Sequence, residues 1–333
     1  MAQATIRDVA REAAVSIASV SRVLNGHANV HPDTRARIAL AVEKLGYVPH
    51  AGARSLSIAR NHAIGVVLPD LHGEFFSEIV RGMDREASAR GLHLLMSNMH
   101  ADVAEAAHAL RAMRGRVDGL VIMAPHLDME ALLGALPHMV PAVLVNCRGE
   151  AEGHPALRVD NAAGVDAMVR HLVASGRKRI AHIAGPAGNM DADERLAAFR
   201  EAMARHAGES DPLVLPGDFS EEAGAAAAQA LIGAGSRVDA VFAANDMMAI
   251  GCLLALQDAG MDVPGRIAVA GFDDIPVARY LALTTMRVRI AEIGARAVAS
   301  LADLLAGQPG DAATEFHAPE LVERATTAPG DHT

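Results

Sequence analysis

Ten side chains stand where apolar runs give way to loops or helix starts: Asp70, Phe75, Phe76, Asn146, Arg148, Asp193, Arg195, Asn245, Asp246 and Asp273. Aromatic rings can stack on the apolar faces of a sugar, while carboxylates, amides and guanidinium groups hold its hydroxyls. Each residue also has a plainer use. Phe76 suits a core, Asp246 suits the cap of a helix over 247–259, and Arg195 suits an internal ion pair. Asp274 suits the ordering of the loop before Pro276, and adjacent Asp273 and Asp274 would point different ways, which disfavours paired acid–base chemistry.

A second set lies in residues 5–25, TIRDVAREAAVSIASVSRVLN. Thr5 with Asp8 three residues on forms a capping-box pattern, and Ile6, Val9, Ala10 and Ala13 make one helical face. Ser16 can cap a second helix whose Val20, Val23 and Leu24 pack back on the first. Ile17, Ala18, Ser21, Arg22 and Asn25 are left on the outer face. Small side chains followed by an Arg suit a helix lying in a DNA major groove, where Arg pairs bidentately with guanine. A ligand-free surface hairpin is the alternative for this stretch alone.

The elements that must position these residues can be read along the chain. Pro32 opens a third helix, with Ile38, Ala41, Val42 and Leu45 inward and Gly46 ending it. His31 stands where a better cap is usual. Residues 47–60, YVPHAGARSLSIAR, read as a linker with room for about two helical turns, marginal alone in water. From His62 apolar strands alternate with helices. Strands are expected at 63–69, 92–97, 118–124 and 142–146, then near 179–184, 213–215, 239–244 and 267–271. Helices are expected near 74–90, 102–115, 128–136, 161–175, 191–206, 220–234 and 246–259. Continuous apolar strands with helical crossovers mean parallel sheets covered on both faces, and two sets mean two lobes with a ligand cleft at the strand carboxyl ends. The tail ATTAPGDHT reads as disordered, and no leucine heptad precedes it to support a coiled-coil tetramer.

Composition narrows the possibilities. The 333 residues allow two or three domains, and 51% hydrophobic residues with only 3% aromatic ones imply aliphatic cores. Cys147 and Cys252 have no metal or redox spacing and read as buried thiols of a reducing cytosol. No stretch reads as a membrane span or export signal. The formal net charge of −10 divides unevenly. Residues 1–60 carry eight Lys/Arg against four acids, and the remainder 22 against 36, so a basic head of +4 sits on an acidic body of −14. Phosphate contact is thereby confined to the head. Nucleotide-binding and hydrolase motifs are missing, as is any metal-site pattern, and the 16 His are scattered, with His171 and His182 read as packing or surface residues. Neither an enzyme nor a bound cofactor or metal is expected.

The ordered words TIRDVAREA, VSRVLNG, PDTRARI, LGYVP, IGVVLPD, VDGLVIMAP, RIAHIAG, AVFAANDMMAIG and VAGFDDIP give a specific likeness running from about Thr5 to Thr327. By them the chain resembles the lactose-repressor/galactose-repressor family of bacterial transcription regulators. The resemblance implies an α/β chain in three parts. These are a helix-turn-helix head at 1–48, a hinge helix and linker at 49–61, and a two-lobed periplasmic-binding-protein-like body at 62–330. Lobe 1 would take about 62–160 and 289–317, and lobe 2 about 161–288 and 318–330. It implies a cytoplasmic homodimer on double-stranded, pseudo-palindromic operator DNA, with Leu56 as a minor-groove wedge. Thr5, Ser16, Asn29 and Arg54 complete the candidate DNA contacts. Positions matching Phe75, Phe76, Asn146, Asn245 and Asp273 commonly line the family's effector pocket.

Five departures stand out. Ala14 replaces the usual turn glycine, and Gly52 weakens the hinge helix by about 1 kcal/mol against Ala. Val288 replaces a usual polar residue, and RYLALTTMR is about two residues short of the usual loop. Asp193 replaces an Arg that clamps sugar hydroxyls, and an ionised Asp can only accept hydrogen bonds. A neutral sugar or glycoside is the expected effector, an amino sugar or nucleoside the alternative, and a sugar phosphate is disfavoured. The rival from another class is a solute-binding protein, which residues 62–327 alone would fit.

Overall fold

The computed structural model describes residues 4–24, 29–47, 61–71, 73–99, 102–127, 134, 140–149, 153–308 and 313–328. Asn25, Gly52, Arg54 and Leu56 lie outside them, as do most of the expected linker and of the expected helix near 128–136. Contacts divide the chain into two compact units, Met1–Ala63 and Ile64–Thr333.

The first unit holds helices α1 (Ile6–Glu12), α2 (Ile17–Leu24) and α3 (Pro32–Leu45). The Asp8 carboxylate accepts from the Thr5 backbone N–H at 3.0 Å and from its hydroxyl at 2.6 Å, which fixes the start of α1. Ser16 Oγ accepts from Ser19 N at 3.1 Å and starts α2. Val9, Ala10, Ala13, Val20, Ile38 and Ala41 form the buried centre, joined by Tyr47 just past α3. His31 makes no capping hydrogen bond, and Gly46 ends α3 at φ 56°.

Ala14, in the turn between α1 and α2, sits at φ 48°. A Cβ in that left-handed region crowds the carbonyl, at a cost of about 1–2 kcal/mol that glycine avoids. Ala14→Gly should therefore stabilise the head by about 0.5–1 kcal/mol after glycine's larger unfolded-state entropy is counted. Amide exchange at Val20 and Ile38 should slow by roughly two- to fivefold in the variant; unchanged or faster exchange would show the turn to be unstrained.

The second unit contains two six-stranded sheets. The first is built from β1 (Ala63–Leu68), β2 (His93–Asn98), β3 (Gly119–Met123), β4 (Ala142–Val145), β5 (Ala156–Val159) and β11 (Thr314–His317), in the order β11-β5-β4-β3-β1-β2. The second is built from β6 (Ile180–Ile183), β7 (Val214–Leu215), β8 (Ala240–Ala243), β9 (Ala268–Asp273), β10 (Thr284–Arg287) and β12 (Glu320–Val322), in the order β12-β10-β9-β8-β6-β7. The chain thus passes between lobes after β5, after β10 and again between β11 and β12. Strands β1, β3, β4, β6, β8 and β9 are almost wholly buried, because helices cover both faces.

Helices α4 (Glu74–Ala89) and α5 (Val103–Met113) serve the first lobe. Helices α6 (Asn161–Ala174), α7 (Met190–Ala207), α8 (Glu221–Gly233) and α9 (Asp246–Asp258) serve the second. Helix α10 (Ile290–Leu305) returns to the first lobe and packs along α4. Both helix pairs at the lobe flanks approach backbone to backbone. A Cβ on Gly82 of α4 would lie 1.9 Å from the Ala291 carbonyl oxygen, and one on Gly251 of α9 would lie 1.9 Å from that of Glu221.

Three sequence expectations need correction. Strands β5, β10, β11 and β12 and helix α10 were not anticipated, and β12 runs antiparallel to β10 in a sheet otherwise expected to be parallel. RYLALTTMR is more than a loop, since its last four residues are β10. The tail is not disordered at its start. Thr326 and Thr327 are 5% and 1% exposed, the Thr284 N–H donates to Thr326 Oγ1 at 2.8 Å, and Thr327 Oγ1 lies 2.8 Å from both Thr284 Oγ1 and His171 Nε2.

Candidate functional site: a DNA-reading helix and an effector cavity

In the head, the packing that buries Val20 turns Ile17, Ala18 and Arg22 outward. Ile17 is 47% exposed. Ser21 is half-buried beside them, and Ser16, Asn29 and Thr5 are exposed. Ser16 and Thr5 also have local work as the helix starts described above, so any DNA contact they make is additional. Helix α2 presents an apolar front, a hydroxyl and one long cation, which is the donor and methyl-contact set that a major groove reads.

In the body, a cavity of about 500 Å³ opens among the carboxyl ends of β1, β3, β6, β8 and β9. Lobe 1 contributes Asp70, Glu74, Phe75, Phe76, Met123 and His126; lobe 2 contributes Asn189, Asp191, Arg195, Asp218, Phe219, Ser220, Asn245 and Asp273. Strand ends meet helix starts there, so three helix caps face the cavity. Asn189 Oδ1 accepts from Ala192 N, Ser220 Oγ from Ala223 N, and Asn245 Oδ1 from Met248 N at 3.0 Å. Asn245 Nδ2 also donates to the Phe219 carbonyl at 3.0 Å. Its amide is therefore committed to the fold on both sides. The rings of Phe75 and Phe76 meet edge to face, centroids 5.4 Å apart, and form one apolar wall.

Arg195 is 4% exposed. Its Nε donates to Asn161 Oδ1 at 2.8 Å, its Nη1 to the Ala244 carbonyl at 2.5 Å, and its plane lies 3.8 Å from the Phe272 ring centre. Nη1 stands 3.5 Å from Asp273 Oδ1, an ion pair too long to be a hydrogen bond. Arg195 thus makes the internal ion pair and also lines the cavity. Burial pushes the Asp273 carboxyl up to about 7, with Arg195 pulling down and Asp191 pushing further up.

Asp246 does not cap α9. It is fully buried, accepting from Ile275 N at 2.9 Å and Thr285 Oγ1 at 2.6 Å, and burial with the nearby Asp273 charge holds its carboxyl well above the usual range. Asp274 pairs with Arg287 at 2.7 Å and Arg324 at 2.6 Å, away from Asp273.

Three expected effector residues are not among those lining the cavity. Asn146 is 3% exposed, its Nδ2 donating to Asp191 and its Oδ1 accepting from Val159 N. Arg148 and Asp193, both about half exposed, pair with each other at 2.6 Å. The Asp that stands in place of the family Arg therefore binds an Arg of the other lobe, and its acceptor character does not select the ligand. Conversely, Phe219, Asp191, Asp218 and His126 line the cavity and were not singled out as binding residues. Phe219 sits at φ 74°, with its ring against Gly185, where a Cβ would come within 2.5 Å of it. Gly185 before a Pro was the only local hint.

A three-helix head with an exposed α2 face and a body that encloses a small polar, aromatic-walled cavity fit the class of DNA-binding regulators. Residues 5–50 match the model of bacterial regulatory proteins of the lacI family, and residues 169–327 match a periplasmic binding protein-like domain. The chain is 35% identical over 328 residues to the HTH-type transcriptional regulator GalS of Salmonella typhimurium, covering 97% of this chain and 96% of that protein. It is 36% identical over 303 residues to the ribose operon repressor of Escherichia coli, covering 89% and 91%. A Lac repressor dimer bound to operator and the anti-inducer ONPF superposes with a TM-score of 0.88 at 29% identity, covering 98% of this chain and 99% of that one. The chain belongs to the LacI/GalR family of bacterial transcription regulators. It is a DNA-binding regulator and not an enzyme, which removes the solute-binding rival. Among the described residues, no helix is long and apolar enough to cross a membrane.

Proposed function

We propose that this chain is a cytoplasmic, homodimeric repressor of a roughly palindromic operator, read by α2. Its operator affinity is controlled by one small sugar-class effector, a sugar or glycoside without an anionic group. The cavity carries this reading. A wall of two Phe rings faces carboxylates at the strand ends, an arrangement suited to a ring with one apolar face and many hydroxyl donors. Effector binding and operator binding must then be linked reciprocally, each altering the other's affinity by the same factor. Relatives of nearly equal identity carry different names, so similarity alone does not choose the sugar.

The test of the DNA half is Arg22→Ala. Arg22 is exposed on the outer face of α2 and pairs with no acid among the described residues. Loss of one bidentate base contact should cost about 1–3 kcal/mol against the operator and much less against random DNA. Gel-shift titrations on both DNAs measure it. Equal weakening would reduce Arg22 to a phosphate contact. Strong thermal stabilisation of the full chain by hexose phosphates alone would overturn the effector half.

A further inference from the structure

The cavity carries charge of one sign. Among the described residues, six carboxylates line it, those of Asp70, Glu74, Asp191, Asp218, Glu221 and Asp273, against the one guanidinium of Arg195. That guanidinium is already engaged with Asn161, the Ala244 carbonyl and the Phe272 ring, and its Nη1 faces Asp273 Oδ1 at 3.5 Å, so one cation is left to offset six acids. His126 adds no compensating charge, because burial disfavours its protonated form.

Half of the acidic set has a structural explanation. Glu74, Asp191 and Glu221 stand in the first turns of α4, α7 and α8, where a negative charge complements the helix dipole. Asp70 and Asp218 complement no helix, but each accepts from a neighbouring backbone N–H, that of Leu71 at 2.6 Å and that of Ser220 at 2.9 Å. Asp273 differs from all of these. It is 5% exposed, lines the cavity, and its Oδ1 makes no hydrogen bond, with Arg195 Nη1 standing 3.5 Å from it. Its backbone is held at φ 115°, a region L residues rarely adopt, so the fold places this carboxylate at the cavity against a conformational cost.

We propose that the effector is an amino sugar, a monosaccharide-sized hydroxylated ring bearing a protonated primary amine, with its ammonium seated against Asp273. The proposal rests on the sugar-class reading of the cavity and narrows it. An ammonium brings three donors and one positive charge, so it supplies hydrogen bonds that Arg195 is too far away to make and reduces the excess of negative charge around the cavity. A hydroxyl supplies one bond and no charge. A phosphate would add to the excess of negative charge where water screens it poorly.

Calorimetric titration of the full chain tests this with three matched series: glucosamine, galactosamine and mannosamine, their N-acetyl derivatives, and the parent hexoses. In at least one series the free amine should bind about tenfold or more tightly than both of its neutral counterparts. Asp273→Asn, which keeps the shape and removes the charge, should bring that ratio to within about twofold while the parent hexose still binds. Neutral counterparts binding as tightly as the amine in every series would overturn the amine and leave the sugar-class reading standing. An undiminished ratio in Asp273→Asn would overturn the seat on Asp273. No binding in any series would overturn the sugar-class reading along with the proposal.

Discussion

Arg195→Ala should destabilise the body by about 3–5 kcal/mol, the range seen when one partner of a buried charge pair is removed. The substitution strips the donor from Asn161 Oδ1 and from the Ala244 carbonyl, and it opens a gap over Phe272. Asn161 also donates to Asp191 at 2.8 Å and to Glu194 at 2.9 Å, so a whole buried network loses its cation. The loss should grow with pH. Asp273, unfolded, titrates near 3.8, and in the fold near 7 with Arg195 still pulling it down. Without Arg195 its folded pKa rises further. A group whose pKa is raised on folding loses stability as pH climbs from the unfolded to the folded value, so the variant keeps losing stability above pH 7 while the parent levels off. Urea unfolding followed by far-ultraviolet circular dichroism at about pH 6 and pH 8 reads both effects, dichroism being the apt probe since the chain has no Trp. A loss below about 1 kcal/mol would mean that Arg195 is not the keystone of the lobe.

Gly251→Ala should cost about 3 kcal/mol or more and should also weaken effector binding. The new methyl would sit 1.9 Å from the Glu221 carbonyl oxygen, and the reciprocal Gly224→Ala would place one 2.0 Å from the Met248 carbonyl oxygen. These neighbours are helix backbone, so no side-chain rotation relieves the clash and α8 must part from α9. The two helices begin at Ser220 and Asn245, both on the cavity, and separating them moves both caps. Gly233→Ala, at the open end of α8 with nothing within 4 Å, is the matched control and should stabilise by up to about 1 kcal/mol, the helix-propensity gain alone. Equal effects at positions 251 and 233 would refute the close-packing argument.

The parts of this fold that could be read from sequence are those whose cause is local. Pro32 and Gly46 bound α3, and the doubly buried strands announce themselves as unbroken apolar runs. Helix α10 carries an equally local signal, with Ile290, Ile293, Ala297, Val298 and Leu301 at helical spacing. Strand β12 and the threonine tail were illegible for a physical reason. Their order comes from Thr284 and His171, far away in sequence, and polar residues that hydrogen-bond in the core resemble solvated ones on paper. The site divides in the same way. Asp70, Phe75, Phe76, Arg195, Asn245 and Asp273 reach the cavity because strand ends and helix starts do so in any such fold. Arg148 and Asp193 find each other across 45 positions, and only the folded chain reveals that pairing.

The first turn of α7 grips the other lobe three times within four residues: Asp191 takes the Asn146 amide, Asp193 takes Arg148, and Glu194 takes Arg158. Asn146, Arg148 and Arg158 all precede the first crossing of the chain into lobe 2. A single helical turn therefore supplies three of the links between lobes. For genetics this concentrates the regulatory phenotype in a very short target. A screen for regulators that have become deaf to their signal, or that answer without it, should return alleles clustered at codons 191–194 and at their three partner codons, well apart from the null alleles of the cores.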